Sequence, residues 1–319
     1  MTEPLVSVCV VTHNHEAYIR DCLMSVIAQS VDVALEILVG DDCSTDGAST
    51  IIDNIAAAFP HLVRVIRHGE RLGSGSRNCQ RLLAEARGRF IAHLDGDDYW
   101  LPGKLRRQLD FLDRYPDVTA VYSNAIVIDA SGKLRGAFNV NVPAVLNLGY
   151  LLRGGNFLCH ASLLYRAEHK HRFLPLSTPF LDYRFHIELA RGGNLGYVDA
   201  SLVGYRVASA TSVSSGNSTL VRRLYLDALA AVGDDAAWRD ELSRAYAQFL
   251  ALAVWDSAAS GRWAELALSF HRVWREAPGS RWLLVPRLLT AILRHLRFKA
   301  GNFLAAVVLR RPLKVYFPK

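Results

Sequence analysis

The fold class predicted for this chain is α/β: a mainly parallel, mixed, Rossmann-like sheet with flanking helices, plus a C-terminal α-helical appendage. Three observations predict it. Apolar, β-branched runs alternate with helical patterns as far as Ile128, the order that builds a parallel sheet covered on both faces. Hydrophobic residues make up 51% and charged residues 21% of the 319 positions, a composition that supports a sizeable core. From about Ser218 strand signals vanish and Ala/Leu-rich helical patterns take over.

In chain order, Leu5–Thr12 (LVSVCVVT) is a buried-strand run, and a helical pattern follows from Glu16 to Gln29. Glu36–Gly40 is a second strand, running into Asp41-Asp42, with a helix predicted from Gly47 to Phe59. A strand at Leu62–Arg67, a helix near Arg77–Ala86 and a strand at Arg89–Leu94 come next. Pro102 suits the first turn of a helix reaching Arg114. Val118–Ile128 is a long strand closed by the turn Asp129-Ala130-Ser131-Gly132. Trp238–Ala259 and Trp263–Glu276 read as two helices joined at Ser260-Gly261-Arg262. They form one helical pair, where a solenoid needs about three repeats.

Cys9, Cys22, Cys43, Cys79 and Cys159 show no CxxC spacing and are odd in number, so reduced thiols in a cytosolic compartment are expected. The N-terminus lacks the basic start of a signal peptide, and no apolar run reaches about 18 residues. The net charge of +7 is uneven: nine basic residues and no acid follow Ala277, leaving −2 for the rest.

Polar residues cluster where the predicted strands end: Thr12-His13-Asn14, Asp41-Asp42 and Asp95-Gly96-Asp97-Asp98. Ligands of open α/β sheets collect at those carboxyl ends. In FIAHLDGDDYW (Phe90–Trp100) a strand delivers Asp95 and Asp97, two residues apart, onto a loop loosened by Gly96. Such oxygen ligands suit Mn²⁺ or Mg²⁺ beside phosphate oxygens; an acidic turn or helix cap would use the same residues. In EILVGDDCSTDG (Glu36–Gly47), Ser44, Thr45 and Asp46 suit capping of the next helix, which leaves Asp41 and Asp42 for binding. The loop after the first strand precedes a helix whose N-terminal N–H groups favour anions. It holds no G-x-G-x-x-G, so a dinucleotide dehydrogenase is unsupported, and the chain has no G-x-x-x-x-G-K-[ST] for a P-loop NTPase. A nucleotidyltransferase would need a glycine-rich basic loop there, and THNHEAY is not one.

In their order and spacing, VSVCVVTHN, GDDCSTDG, GSGSRN and LDGDDYW resemble glycosyltransferase family 2, with its GT-A fold, over roughly Pro4 to Ser212. The resemblance implies an inverting transfer of sugar from a nucleotide-diphosphate sugar, UDP-linked by preference, to a cell-surface or lipid-linked glycan. It implies that Thr12, Asn14, Asp41, Asp42, Arg77 and Asp95 bind the nucleotide sugar, and that Asp95 and Asp97 hold Mn²⁺ or Mg²⁺. FLDYRFHIELARGG (Phe180–Gly193) resembles the family's segment carrying the catalytic base, which places that role on Asp182. The chain departs from the pattern twice. Leu181 stands where an acid is common, and Tyr205-Arg206 is followed by Val207-Ala208-Ser209, without the late histidine that often completes the metal site. A non-catalytic nucleotide-sugar-binding scaffold is the alternative. Acceptor contacts are expected from Asn139–Pro179 and the appendage.

The expected division is a transferase domain at 1–215, the helical appendage at 216–280 and a basic tail at 281–319. In Arg281–Phe298, Arg287, Thr290, Arg294 and Arg297 fall on one helical stripe among Leu and Ile. A basic amphipathic helix of this kind lies in a membrane interface; a helix packed on the body with a solvated basic face is the other reading. Peripheral attachment to the cytoplasmic face of an anionic membrane is therefore expected. Nucleic acid is not, because the tail carries no binding motif and few stacking aromatics.

Overall fold

In the computed structural model, residues 4–31, 33–177, 179–207, 218–279, 281–307 and 314–316 are described. The sheet grows from β1 (Val6–Thr12), β2 (Leu35–Asp41), β3 (Val63–Arg67) and β4 (Phe90–Asp95), all parallel, in the order β4-β1-β2-β3. Its helices are α1 (Ile19–Ile27), α2 (Ala48–Ala58), α3 (Gly75–Glu85) and α4 (Lys104–Arg114). Alternation along β1 explains why both faces are covered. Val6, Val8 and Val10 enter one buried cluster with α1 and α2, while Cys9 enters another with Leu82 and Leu83 of α3.

Beyond β4 the sheet becomes mixed. The short strand β5 (Tyr99–Trp100) precedes α4, and β6 (Val118–Ile128) follows it. Next come β7 (Leu134–Ala137), β8 (Val145–Leu146), α5 (Leu148–Gly154) and β9 (Leu164–Arg166). The antiparallel β9 lies between β4 and β6. Then α6 (Asp182–Gly192) leads into β10 (Asn194–Arg206), which runs parallel to β6. None of β7 to β10 is announced by the sequence pattern. The register of β10 shifts around Val198–Ser201, which interrupts its alternation.

The appendage consists of α7 (Ser218–Ala230), α8 (Arg239–Ser260) and α9 (Trp263–Glu276). Leu229, Leu242, Tyr246 and Phe249 from these helices lie in the same buried cluster as Tyr122, Leu151 and Tyr183 from the sheet side. The helices therefore complete a core shared with the sheet.

The C-terminal segment also packs on the body. α10 (Leu284–Val307) lies along α8, and β11 (Lys314–Val315) pairs with β7, so the sheet extends through residues from the very end of the chain. No helix among the described residues is long and apolar enough to cross a membrane.

Candidate active site

The strand ends open into one cavity of about 1180 Å³, lined by Thr12, Asp42, Asp95, Asp97 and Asp182. That volume exceeds the roughly 300–1,000 Å³ usual for a single small ligand.

Asp95 ends β4 and Asp97 follows across Gly96, whose main chain passes close to β1. A Cβ built on Gly96 would lie 2.6 Å from Thr12 Oγ1 and 2.7 Å from His15 Nδ1. Only glycine lets the D-G-D turn settle against those side chains. Burial, with the negative charges of Asp97 and Asp182 added, pushes the Asp95 carboxyl well above its ordinary value. Asp98 is buried and turned inward, where its Oδ1 accepts the Arg206 backbone N–H at 2.7 Å. Arg206 also donates from Nε to the Asp97 carbonyl oxygen at 2.9 Å, so β10 fixes the far side of the turn.

Asp182 opens α6 and is solvent-exposed. It does not cap the helix: the N-cap is Leu181, and no side-chain cap bond forms. An imidazole cluster reaches the cavity wall, where His93 and His160 line it, with the His160 ring 5.0 Å from His93 and 5.7 Å from the buried His186. Burial holds His160 below the usual imidazole range, opposed by the charge of Asp182.

The strand-end residues divide in use. Asp42 lines the cavity and also accepts the Leu72 N–H at 2.5 Å and the Gly73 N–H at 2.9 Å, which pins the loop before α3. Asp41 does not line the cavity. Its carboxylate is buried and accepts the Ser44 N–H at 3.1 Å and hydroxyls from Ser44 and Ser49. Asn14 is likewise drawn inward, at φ 57°, where its Oδ1 accepts the Thr45 N–H at 2.7 Å and ties two strand-end loops together. Arg77 is exposed and donates to the Leu72 carbonyl at 3.3 Å, outside the cavity lining. All three lie off the cavity lining, and each makes at least one hydrogen bond to a neighbouring backbone or hydroxyl group.

Several further residues line the cavity without a role assigned from the sequence. His15 stands beside the D-G-D turn, and Arg71 precedes the Gly73-Ser74-Gly75 loop. Their positions in strand-end loops were the available signal. Asn156 and His160 from the 139–179 stretch, and Tyr225, Arg244 and Gln248 from the appendage, also line it.

Of the two readings of the basic stripe, a helix packed on the body describes α10, and Arg287, Thr290 and Arg294 line the cavity. Leu284 is buried and Leu288 packs against the core, while Arg287 pairs with Asp240 and reaches Ser243, which together rotate that stripe inward. Arg297 lies outside the cavity lining and is exposed. The face of α10 left outward is apolar: Trp282 just before it is 85% exposed, Leu289 57% and Leu293 58%.

A strand-end site of this kind, on a mixed sheet of this order, defines the GT-A class of fold. A family model described as glycosyl transferase family 2 matches residues 7–173, and the chain belongs to that family. Uncharacterised proteins of Mycobacterium tuberculosis and Mycobacterium bovis are 31% identical to it over 208 residues, covering 63% of this chain and 58% of theirs. The chain thus spans less than two thirds of their length. The UDP-Glc:alpha-D-GlcNAc-diphosphoundecaprenol beta-1,3-glucosyltransferase WfaP of Escherichia coli is 31% identical over 178 residues, 56% of this chain and 66% of its own. Among solved structures, Staphylococcus aureus TarS residues 1–349, in complex with UDP-GlcNAc, aligns with a TM-score of 0.65 at 17% identity, covering 94% of this chain and 92% of that one. At that identity the likeness shows the fold.

Proposed function

We propose that this chain is an inverting glycosyltransferase. It moves a sugar from a nucleoside-diphosphate sugar, UDP-linked by preference, to a hydroxyl of a cell-surface or lipid-linked glycan. The observation that carries this reading is that Asp42, Asp95, Asp97 and Asp182, from three separate stretches of chain, line one cavity. Family membership and the donors named for WfaP and TarS support it.

In this mechanism Thr12 and Asp42 hold the nucleoside, with Asp42 using acceptor capacity left over from its two backbone contacts. Asp182 takes the proton of the acceptor hydroxyl as that oxygen attacks the anomeric carbon. The bond to the nucleoside diphosphate breaks on the other face, which inverts the configuration.

The donor set fits a divalent cation of the Mn²⁺ or Mg²⁺ type in one particular way. Among the described residues no three His, Cys, Asp or Glu side chains gather as a metal cluster, and Val207 stands after Tyr205-Arg206. Such ions commonly take one or two carboxylates and complete their shell with phosphate oxygens and water. Asp97 and Asp95 would supply those carboxylates; Asp95 is raised first by burial and then by the charges of Asp97 and Asp182, and that second, repulsive part is what a cation would relieve. When bound, the ion would neutralise charge on the leaving diphosphate.

The protein would meet the membrane through the apolar face of α10, with Trp282, Leu289 and Leu293 entering the interface. A scaffold role without catalysis gains no support from an open Asp182 beside an intact D-G-D turn.

The test is a donor screen with the purified full chain, reading nucleoside diphosphate release with and without Mn²⁺. Acceptor-dependent release from one nucleotide sugar, stimulated by the metal, is expected. Binding without release from any donor would overturn the enzyme reading in favour of the scaffold.

A further inference from the structure

The cavity has a second wall of opposite charge. Its carboxylates all come from the strand-end side and α6: Asp42, Asp95, Asp97, Asp98 and Asp182. The helices α5, α8 and α10 contribute Arg153, Arg244, Arg287 and Arg294, and no acid. Arg287 and Arg294 are two turns apart on one face of α10, with Thr290 between them.

These arginines are only partly neutralised. Arg153 pairs with Glu241 at 2.9 Å, while Arg244 (2.7 Å) and Arg287 share Asp240. Arg294 has no hydrogen-bond or ion-pair partner among the described residues. Four arginines thus line this side of the cavity with two carboxylates paired to them, a surplus of two positive charges, and Arg153, Arg244 and Arg294 remain exposed to solvent. The shared Asp240 also restrains Arg287, whose side chain is 19% exposed, so part of the wall is organised before any ligand arrives.

A donor diphosphate already has a place at the strand ends under the function proposed above, and the present inference rests on that reading. At about 1180 Å³ the cavity is larger than the roughly 300–1,000 Å³ usual for one small ligand. We propose that Arg153, Arg244, Arg287 and Arg294 form a subsite for a second anionic group, the phosphate or diphosphate that joins the acceptor sugar to its lipid. Guanidinium groups suit this ligand because they donate paired N–H groups to phosphate oxygens. The juxtaposition on α10 supplies the rest: arginines on the cavity face, and Leu289 and Leu293 exposed on the other. A molecule with an anionic head and an apolar chain would find both within one helix.

The probe is undecyl diphosphate, with undecyl β-glucoside as its uncharged counterpart. Both are titrated into the full chain by calorimetry at saturating UDP, so that the donor site is filled. Wild type is expected to bind the diphosphate at least about tenfold more tightly, a preference that weakens with salt. Arg294→Ala, which breaks no hydrogen bond or ion pair among the described residues, should remove most of the preference, and the Arg287→Ala/Arg294→Ala pair the remainder. Equal affinity for the two probes in wild type would overturn the proposal, as would a preference that survives the double variant. Vesicles of phosphatidylglycerol and phosphatidylcholine separate the lipid-headgroup source. If the arginine variants lose vesicle binding but keep undecyl diphosphate affinity, the arginines serve headgroups and the subsite is wrong. Failure of UDP itself to bind would instead remove the donor reading, with the probe comparison still deciding the arginine wall.

Discussion

The two walls of the cavity are anchored differently. The acidic wall hangs from strand ends: Asp95 leaves β4 in register with Val11 of β1, and the turn after it is closed by Arg206 from β10. The basic wall hangs from helices, where α10 packs on α8 and Arg244 and Arg287 share the Asp240 carboxylate. In the first wall Asp95 is placed by a main-chain ladder and Asp182 by the start of α6, rigid supports that suit chemistry needing reacting groups held to fractions of an ångström. The second wall uses long side chains on a surface helix, which suits recognition of a bulky acceptor.

That contrast can be sharpened by substitution. Asp97→Ala should lower kcat/KM on the order of 10³-fold, because it removes charge stabilisation at the leaving diphosphate; steady-state kinetics with added Mn²⁺ would show the loss, and a near-normal value would detach Asp97 from the reaction.

A stability effect on the sheet side comes next. Glu36 accepts from Ser7 Oγ at 2.7 Å and from Arg87, beneath the β1–β2 pair. Burial alone would raise its carboxyl, but these hydrogen bonds more than offset it and leave it below the ordinary value. Glu36→Gln should cost about 2 kcal/mol at neutral pH. Because the folded pKa is the lower one, that stabilisation is complete above the unfolded value of about 4.3 and disappears as pH falls through the folded value. Thermal melts of wild type and variant should therefore differ at pH 7 and converge in acid.

On the helical side, Leu289→Glu with Leu293→Glu should weaken sedimentation with anionic vesicles by about tenfold, while UDP affinity holds. Smallest is Asp41→Asn. It should lower stability by about 1 kcal/mol through the Ser44 and Ser49 contacts and leave donor KM unchanged. A large rise in donor KM would return Asp41 to the binding site.

The contrast also separates what the sequence disclosed from what it hid. The strands β1, β2, β4 and β6 end within about two residues of where their apolar runs stop, and Thr12, Asp42, Asp95 and Asp97 at the ends of the first three line the cavity. Neighbouring Asp41 and Asp42 could not be told apart, since adjacent residues at a strand end face different ways and the loop decides which meets solvent. β10 escaped notice because its bulges break the two-residue period. The basic wall was hidden for another reason: its arginines come from three helices far apart in the chain, and the stripe on α10 looks the same whether lipid or a cavity lies against it.

The central claim is that Asp182 removes the acceptor proton in a cavity whose other carboxylates hold the donor. Asp182→Asn, assayed for transfer and titrated with UDP-sugar in parallel, tests it most directly. Turnover should fall by at least about 10²-fold with donor affinity unchanged. Turnover close to wild type, or a loss explained entirely by weaker donor binding, would contradict the account.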